Sequence, residues 1–196
     1  MIKQLIQDFK KYRWFYTSSK NLVIGGKSAN QNDDLLKILK KEAKSDYIVM
    51  HTSTPGSPFS VILSDKKPSE VDIREAATFT ACFSQQWKKR ARKSEIHIFN
   101  LSQLSKPKSA KIGTWKVKEK IQKLLVDLEL GLITQNNILR AVPISTLKNK
   151  KPLLTIVPGT INKQQMLSKI ALELGEKFSQ ESILSALPSG GVRIKR

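Results

Sequence analysis

Cysteine is nearly absent from the chain. Cys82 stands alone among 196 residues, so no intrachain disulfide can form, and a reducing compartment, the cytoplasm, is the expectation. Histidine is almost as scarce. His51 and His97, with that one cysteine, leave too few soft ligands for a zinc cluster, and neither metal nor cofactor is expected. No apolar run approaches the ~20 residues of a membrane span, and the opening residues 1–11 are too polar for a signal peptide. There is no internal repeat. Acidic residues are also few, 16 Asp and Glu against 35 Lys and Arg, which leaves a net charge of +19. With apolar residues at 39% and charged residues at 26%, the composition is still that of a folded protein.

A charge that large strains a folded chain by self-repulsion, and a polyanionic partner is the simplest reason to keep it. Nucleic acid comes first, because each neutralised phosphate releases a condensed counterion. An anionic membrane surface and plain solubility are the alternatives. The excess is unevenly spread. Residues 88–123 carry twelve basic and two acidic groups, a net +10 that is more than half the excess, whereas residues 47–87 are slightly negative. Uniform solubilising charge would not concentrate in 36 residues.

Apolar spacing at Ile2, Leu5, Ile6 and Phe9 predicts a short amphipathic helix over 2–11, followed by a hairpin of strands 13–16 and 22–24. A helix over 30–44 follows, with Leu35, Leu36 and Leu39 on one face and Asn30 or Asn32 as cap. Strands are expected at 47–51 and 59–63, flanking a loop punctuated by Pro55, Gly56 and Pro58. A long helix should run from Ser69, its cap, to about Arg92, with Val71, Ala76, Phe79, Ala81, Cys82 and Phe83 inward. Then come strands 95–100 and 113–118 around a Lys-rich loop, a helix over 121–130 and a boundary at 131–137. The tail should hold strands 138–142 and 153–157, a Pro158-Gly159 turn, a helix over 163–178 and a helical turn over 181–187, before a basic end. The elements lack regular alternation. The fold class is therefore α+β: a mixed sheet with a long helix packed on it over 12–120, then a small α+β unit over 136–196.

No catalytic site is legible. Gly26-Lys27-Ser28 follows a strand and precedes a helix, but a full P-loop needs glycine where Asn21 stands. The weaker reading is that this turn holds a nucleic-acid phosphate. His51 ends a strand beside Pro55-Gly56-Ser57, and His97 reads as a solvent-facing strand residue. The strongest local signal is the run Trp87, Lys88, Lys89, Arg90, Ala91, Arg92, Lys93. One or two of its cations satisfy a helix dipole and the rest exceed it. A second basic segment holds Lys106, Lys108, Lys111 and Lys116. Such Lys-rich loops suit contacts to phosphates, which carry no base information. Trp14, Trp87 and Trp115 have two readings, core packing or stacking on unpaired bases, and core packing is the better of the two for each.

These residues, in order, resemble the NFACT family of ribosome quality control proteins. Trp14-Phe15-Tyr16-Thr17-Ser18, Leu22-Val23-Ile24-Gly25-Gly26-Lys27 and Asn30-Gln31-Asn32-Asp33 are similar to the opening of its NFACT-R domain. His51-Thr52 with Pro55-Gly56-Ser57, then Ala76-Ala77-Thr78-Phe79 with Phe83-Ser84 and Trp87, then Ser105-Lys106-Pro107 with Ala110-Lys111 and Gly113, continue the match through residue 118. Ala141-Val142-Pro143, Leu153 to Gly159, Leu187-Pro188 and Val192-Arg193-Ile194 resemble its NFACT-C domain more weakly. The family's large N-terminal domain and coiled-coil arms have no counterpart in this sequence.

The resemblance implies RNA binding, with tRNA, rRNA and the large ribosomal subunit as partners, and a separate NFACT-N-type protein as a possible companion. Arg13, Lys27, Lys88, Lys89, Arg90, Arg92, Lys106, Lys108, Lys111 and Lys116 are then the candidate phosphate contacts. Trp14, Asn30, Asn32, His51, Pro55, Gly56, Ser57, Ser84 and Trp87 are the candidates for lining the same surface. Rival readings are a scaffold that meets an acidic protein partner, a duplex-DNA binder, and an enzyme on nucleic acid that would need converging carboxylates.

Overall fold

The computed structural model describes residues 2–43, 45–118 and 121–195. Lys44, where the second helix was expected to end, the boundary residue Lys120, the terminal Arg196 and the side chain of Ile2 lie outside the described residues. The chain opens with helix α1 (Ile2–Gln7) and a 3-10 turn at Phe9–Lys11. Strands β1 (Arg13–Tyr16) and β2 (Leu22–Gly25) follow, then α2 (Ala29–Glu42), β3 (Ile48–Thr52) and β4 (Ser60–Leu63). Helices α3 (Glu70–Cys82) and α4 (Gln85–Lys88) lead to β5 (Lys93–Asn100), the short pair β6 (Leu104–Ser105) and β7 (Lys116–Val117), and β8 (Gln122–Asp127). An antiparallel sheet of order β1-β2-β4-β3-β5-β8 results.

Strand alternation sends successive side chains to opposite faces of this sheet, and both faces are covered. Phe15, Val23, Met50, Ile62 and Ile98 face α3, where Ala76, Ala77 and Phe79 are fully buried. Trp14, Ile24, Val49, Val61 and Phe99 face the other way, onto Leu35, Leu36 and Leu39 of α2. Burying each of those leucines is worth about 1.5–3 kcal/mol. Leu5 and Phe9 extend this second core, whereas Ile6 is half exposed.

The α+β expectation holds, and several elements differ from it in detail. The cap of α2 is Ser28, whose Oγ accepts from the Gln31 N–H, and not Asn30 or Asn32. Ser69 caps α3 in a capping box with Asp72, as expected. Val71, expected inward, is 53% exposed. The expected single helix to Arg92 is two helices. Ser84 Oγ donates to the Ala81 carbonyl and accepts from the Gln86 N–H, a local alternative to helical pairing that breaks the run. Arg90 then adopts a left-handed φ of 59°, which ends α4.

The helix expected over 121–130 is strand β8. Ile121, Leu124, Leu125 and Leu128 have helical spacing, but Leu124, Val126, Leu128 and Leu130 also alternate. Pairing with β5 decides the matter, with Ile96 opposite Leu124 and His97 opposite Lys123. The expected boundary at 131–137 is β9 (Leu130–Gln135) and a turn. Asn136 and Asn137 take φ of 49° and 60° and close a tight hairpin to β10 (Ile138–Pro143).

Beyond it, β11 (Leu154–Asn162) runs straight through Pro158-Gly159 with a bulge where a turn was expected. The expected helix over 163–178 is confined to α5 (Leu167–Glu173), α6 (Gln180–Ala186) follows, and the tail is strand β12 (Gly191–Ile194). The second sheet has order β10-β9-β11-β12. Helix α3 lies between the two sheets within one continuous apolar core that runs from Phe15 to Val192. The hairpin also seals the edge of β1. Gln135 accepts from the Tyr16 N–H and donates to the Tyr16 carbonyl, both at 2.8 Å, and Arg140 Nη2 donates to the Trp14 carbonyl at 2.9 Å.

Candidate nucleic-acid interface

At one end of the six-stranded sheet the β2–α2 turn, the β3–β4 loop, α4 and the 112–117 segment enclose an open groove of about 620 Å³. Its walls are built by side chains with defined partners. Asn32, buried in the first turn of α2, accepts from the Phe59 N–H at 3.0 Å and donates to the Ser57 carbonyl at 3.4 Å. Gly26 packs so tightly on Asn32 that a Cβ there would lie 2.3 Å from Oδ1. Ser57 Oγ accepts from the Thr52 N–H at 3.0 Å. Gly56 turns at φ +97°, and its carbonyl accepts from the Gln85 N–H at 2.8 Å, which docks the loop onto α4.

Three cations face this groove: Arg13, Lys27 and Lys88. Among the described residues none of them has a carboxylate within 4 Å. Burial holds the Arg13 guanidinium below the ordinary arginine range, and its head stands 4.8 Å over the Phe83 ring. Burial, then the nearby Arg13 and Arg140, lower the Lys27 pKa as well. Behind them, Arg140 is lowered to about 10 by burial and by Arg13, and Lys163 is lowered by burial and by Arg13. Like charges in mutual range, without a neutralising acid among the described residues, favour an anion beside them.

The rings that line the groove belong to the sheet and to the 112–117 segment. His51 stacks on Phe59 with centroids 4.5 Å apart, and its Nδ1 lies 2.7 Å from the Thr52 carbonyl. Burial pulls the His51 pKa down and favours the neutral ring, and the Thr52 carbonyl, which can only accept, favours the proton on Nδ1. His97, opposite His51 in register, pairs with Glu95 at 3.1 Å. Trp115 donates its Nε1–H to Asp33 at 2.9 Å.

Nine of the sequence candidates therefore meet at the groove: Arg13, Lys27, Asn32, His51, Pro55, Gly56, Ser57, Ser84 and Lys88. Lys89, Arg90 and Arg92 follow Lys88 as an exposed basic rim, and Lys108, Lys111 and Lys116 are exposed outside the groove. Asn30 is exposed on α2 away from it. Lys106 differs, because its ammonium is held by the buried Asp33 carboxylate. Trp14 and Trp87 are core residues at 1% and 0% exposure, with no ring face left for a base. Trp87 instead donates its Nε1–H to the Gly191 carbonyl at 2.8 Å and ties α4 to β12. Sequence reasoning missed Arg140, Lys163, Ile112, Thr114 and Ser189, which the fold brings to or behind the groove from distant segments. It placed His97 in solvent. No local spacing marks any of them.

A family model described as the NFACT protein RNA-binding domain matches residues 11–119, more than half of the chain. The chain belongs to the NFACT family. The groove lies largely within that domain, which also holds all three groove cations. The chain is 28% identical over 201 positions to a protein of Methanocaldococcus jannaschii described as an archaeal Rqc2 homolog, aRqcH. That likeness covers 95% of this chain, so it continues past the NFACT RNA-binding domain, and 29% of the relative, so the chain spans less than a third of the relative's length. Among solved structures, the C-terminal part of the fibronectin/fibrinogen-binding protein of Streptococcus suis matches 60% of this chain and 45% of its own, with a TM-score of 0.53 and 24% identity. That part shares its fold with the matched portion of this chain. No helix among the described residues is long and apolar enough to cross a membrane.

Proposed function

We propose that the protein binds RNA through the groove and the basic rim beside it, and that it acts in ribosome quality control on the large subunit and its tRNA. The observation that carries this reading is the set Arg13, Lys27 and Lys88, three groove cations without a carboxylate partner among the described residues, in a domain of RNA-binding family. The +10 segment that ends α4 and continues through the Lys-rich loop supplies the long-range attraction for a polyanion. The archaeal relative, named as an Rqc2 homolog, supports the ribosomal setting. A protein of the NFACT-N type is part of the same proposal, as a companion of this chain.

No catalytic role is proposed. Among the described residues no group of three or more His, Cys, Asp or Glu is placed to hold a metal ion. Asp33 is paired with Lys106 and Trp115, and Glu95 with His97 and Lys123. The test is co-sedimentation of the tagged protein with ribosomal fractions from its own cells, with sequencing of the retained RNA. Enrichment of large subunits and tRNA that disappears with rising salt is the expected result. A protein partner that persists after nuclease, with no RNA retained, would replace this reading with the scaffold one.

A further inference from the structure

We propose that the groove receives one unstacked nucleotide of a single-stranded RNA, its phosphate against Arg13, Lys27 and Lys88 and its base against His51, His97 and Trp115. This rests on the RNA-binding reading above and narrows it from a basic surface to a strand-selective site.

Three features distinguish the groove from a surface that only collects phosphates. The first is its concavity. At about 620 Å³ it has the volume of a small-molecule site, whereas a surface that tracks a duplex backbone needs exposed cations and no cavity. Bases in a duplex are stacked and paired, so a duplex can reach only the rim. A single strand can turn one base inward, which is how strand-specific binders work.

The second feature is the division of chemistry among the walls. The cations come from the start of β1, the β2–α2 turn and the end of α4. The rings come from β3, β5 and the 112–117 segment, and they are oriented. His51 is fixed by Phe59 on its face and by the Thr52 carbonyl at Nδ1, which leaves Nε2 as an acceptor for an N–H of a base. Trp115 is fixed by the Asp33 carboxylate at its Nε1, with the Lys106 ammonium 5.5 Å from its centroid. A phosphate and a flat heterocycle on one small unit is the chemistry of a nucleotide.

The third feature is preorganisation. Asn32, Ser57, Gly56 and Gln85 hold the loop without help from a ligand, so little ordering remains to be done on binding. The C-terminal unit takes part too. Ser189 lines the groove, and Gly190 lies against the stem of Lys88, where a Cβ would come within 3.0 Å of Cγ.

The test uses the full chain with a labelled six-nucleotide single-stranded RNA, the duplex RNA of the same sequence, and free AMP. The expected result is at least tenfold tighter binding of the single strand than of the duplex, with AMP weaker than the strand. Lys27→Glu with Lys88→Glu should weaken the single strand by tenfold or more, and Lys108→Glu with Lys111→Glu, outside the groove, by about twofold. Trp14 and Trp87 are buried, so quenching of tryptophan fluorescence by RNA should vanish in Trp115→Phe.

Equal affinity for duplex and single strand would overturn the groove proposal. So would retention of RNA by the Lys27/Lys88 variant with loss in the Lys108/Lys111 variant, and in both cases the RNA-binding reading would stand. AMP held as tightly as the strand would make the groove a free-nucleotide site and overturn the proposal. If the folded wild-type chain binds none of the RNAs, both readings fall.

Discussion

Lys88 and Lys106 stand in the two basic stretches of the chain, and their ammonium groups meet different surroundings. Lys88 is exposed on the groove and has no carboxylate within 4 Å among the described residues. Lys106 is held by Asp33, whose carboxylate also accepts from the Gly113 N–H and the Trp115 indole, each at 2.9 Å. The stretch beside Trp87 projects its charge into solvent from a helix anchored in the core. The stretch from 106 to 117 spends its first lysine to fasten itself to α2. A count of cations makes the two stretches nearly equivalent, five over 88–93 and four over 106–117. The fold makes one an exposed basic rim and the other a clamp that shapes a wall of the groove.

Removing the anchor of the first stretch should have the largest effect. Trp87→Ala empties a fully buried site and strands the Gly191 carbonyl, and should cost about 4 kcal/mol, read from urea unfolding. If stability barely changes, α4 is not held as described.

The clamp comes next. Asp33→Ala leaves the Lys106 ammonium and two N–H groups without their acceptor and should cost about 3 kcal/mol. Faster amide exchange at Gly113 should accompany the loss. Burial acts to raise the Asp33 pKa, and the hydrogen bonds from Lys106, Trp115 and Gly113 outweigh it, so its folded value lies below the ordinary 3.8. That contribution is complete above pH 3.8 and is lost as pH falls through the depressed value. Asp33→Asn should therefore flatten the acid limb of stability below that pH. Glu75 works in the opposite sense. Burial raises its pKa above 4.5, so its share of stability is complete below 4.5 and declines as pH rises through the folded value. Glu75→Gln should remove that decline.

Lys88→Glu, Lys89→Glu, Arg90→Glu and Arg92→Glu together should weaken RNA binding at least tenfold while the unfolding midpoint holds, because these side chains are exposed. The smallest effect belongs to the β3–β4 loop that docks on α4. Gly56→Ala puts a Cβ at φ +97°, 2.4 Å from the Gln85 side chain, and should cost about 1–2 kcal/mol in thermal unfolding.

Much of this was legible along the chain. The β1–β2 hairpin, the capping box at Ser69 and the leucine face of α2 are local patterns, and they folded as local patterns predict. Segment 121–130 was not legible, because its apolar residues satisfy both periods and only the free edge of β5 selects a strand. At the groove, Arg13, Lys27 and Lys88 were visible as cations, and Gly26 and Gly56 as turn residues. The role of Asp33 was hidden, since an acid near the start of a helix reads as a dipole partner until Gly113 and Trp115 are brought to it. Ser189 in the groove wall, and Arg140 and Lys163 behind the groove cations, were hidden as well, because tertiary approach of distant segments leaves no mark on spacing.

The most direct test of the account is the salt dependence of RNA affinity in the wild-type chain. Phosphate binding by the groove and rim predicts that log affinity falls linearly with log salt, with a slope shallower by roughly 0.7 for each cation removed when the RNA is single-stranded. A flat dependence, or a slope that the Lys88, Lys89, Arg90 and Arg92 replacements leave unchanged, would contradict it.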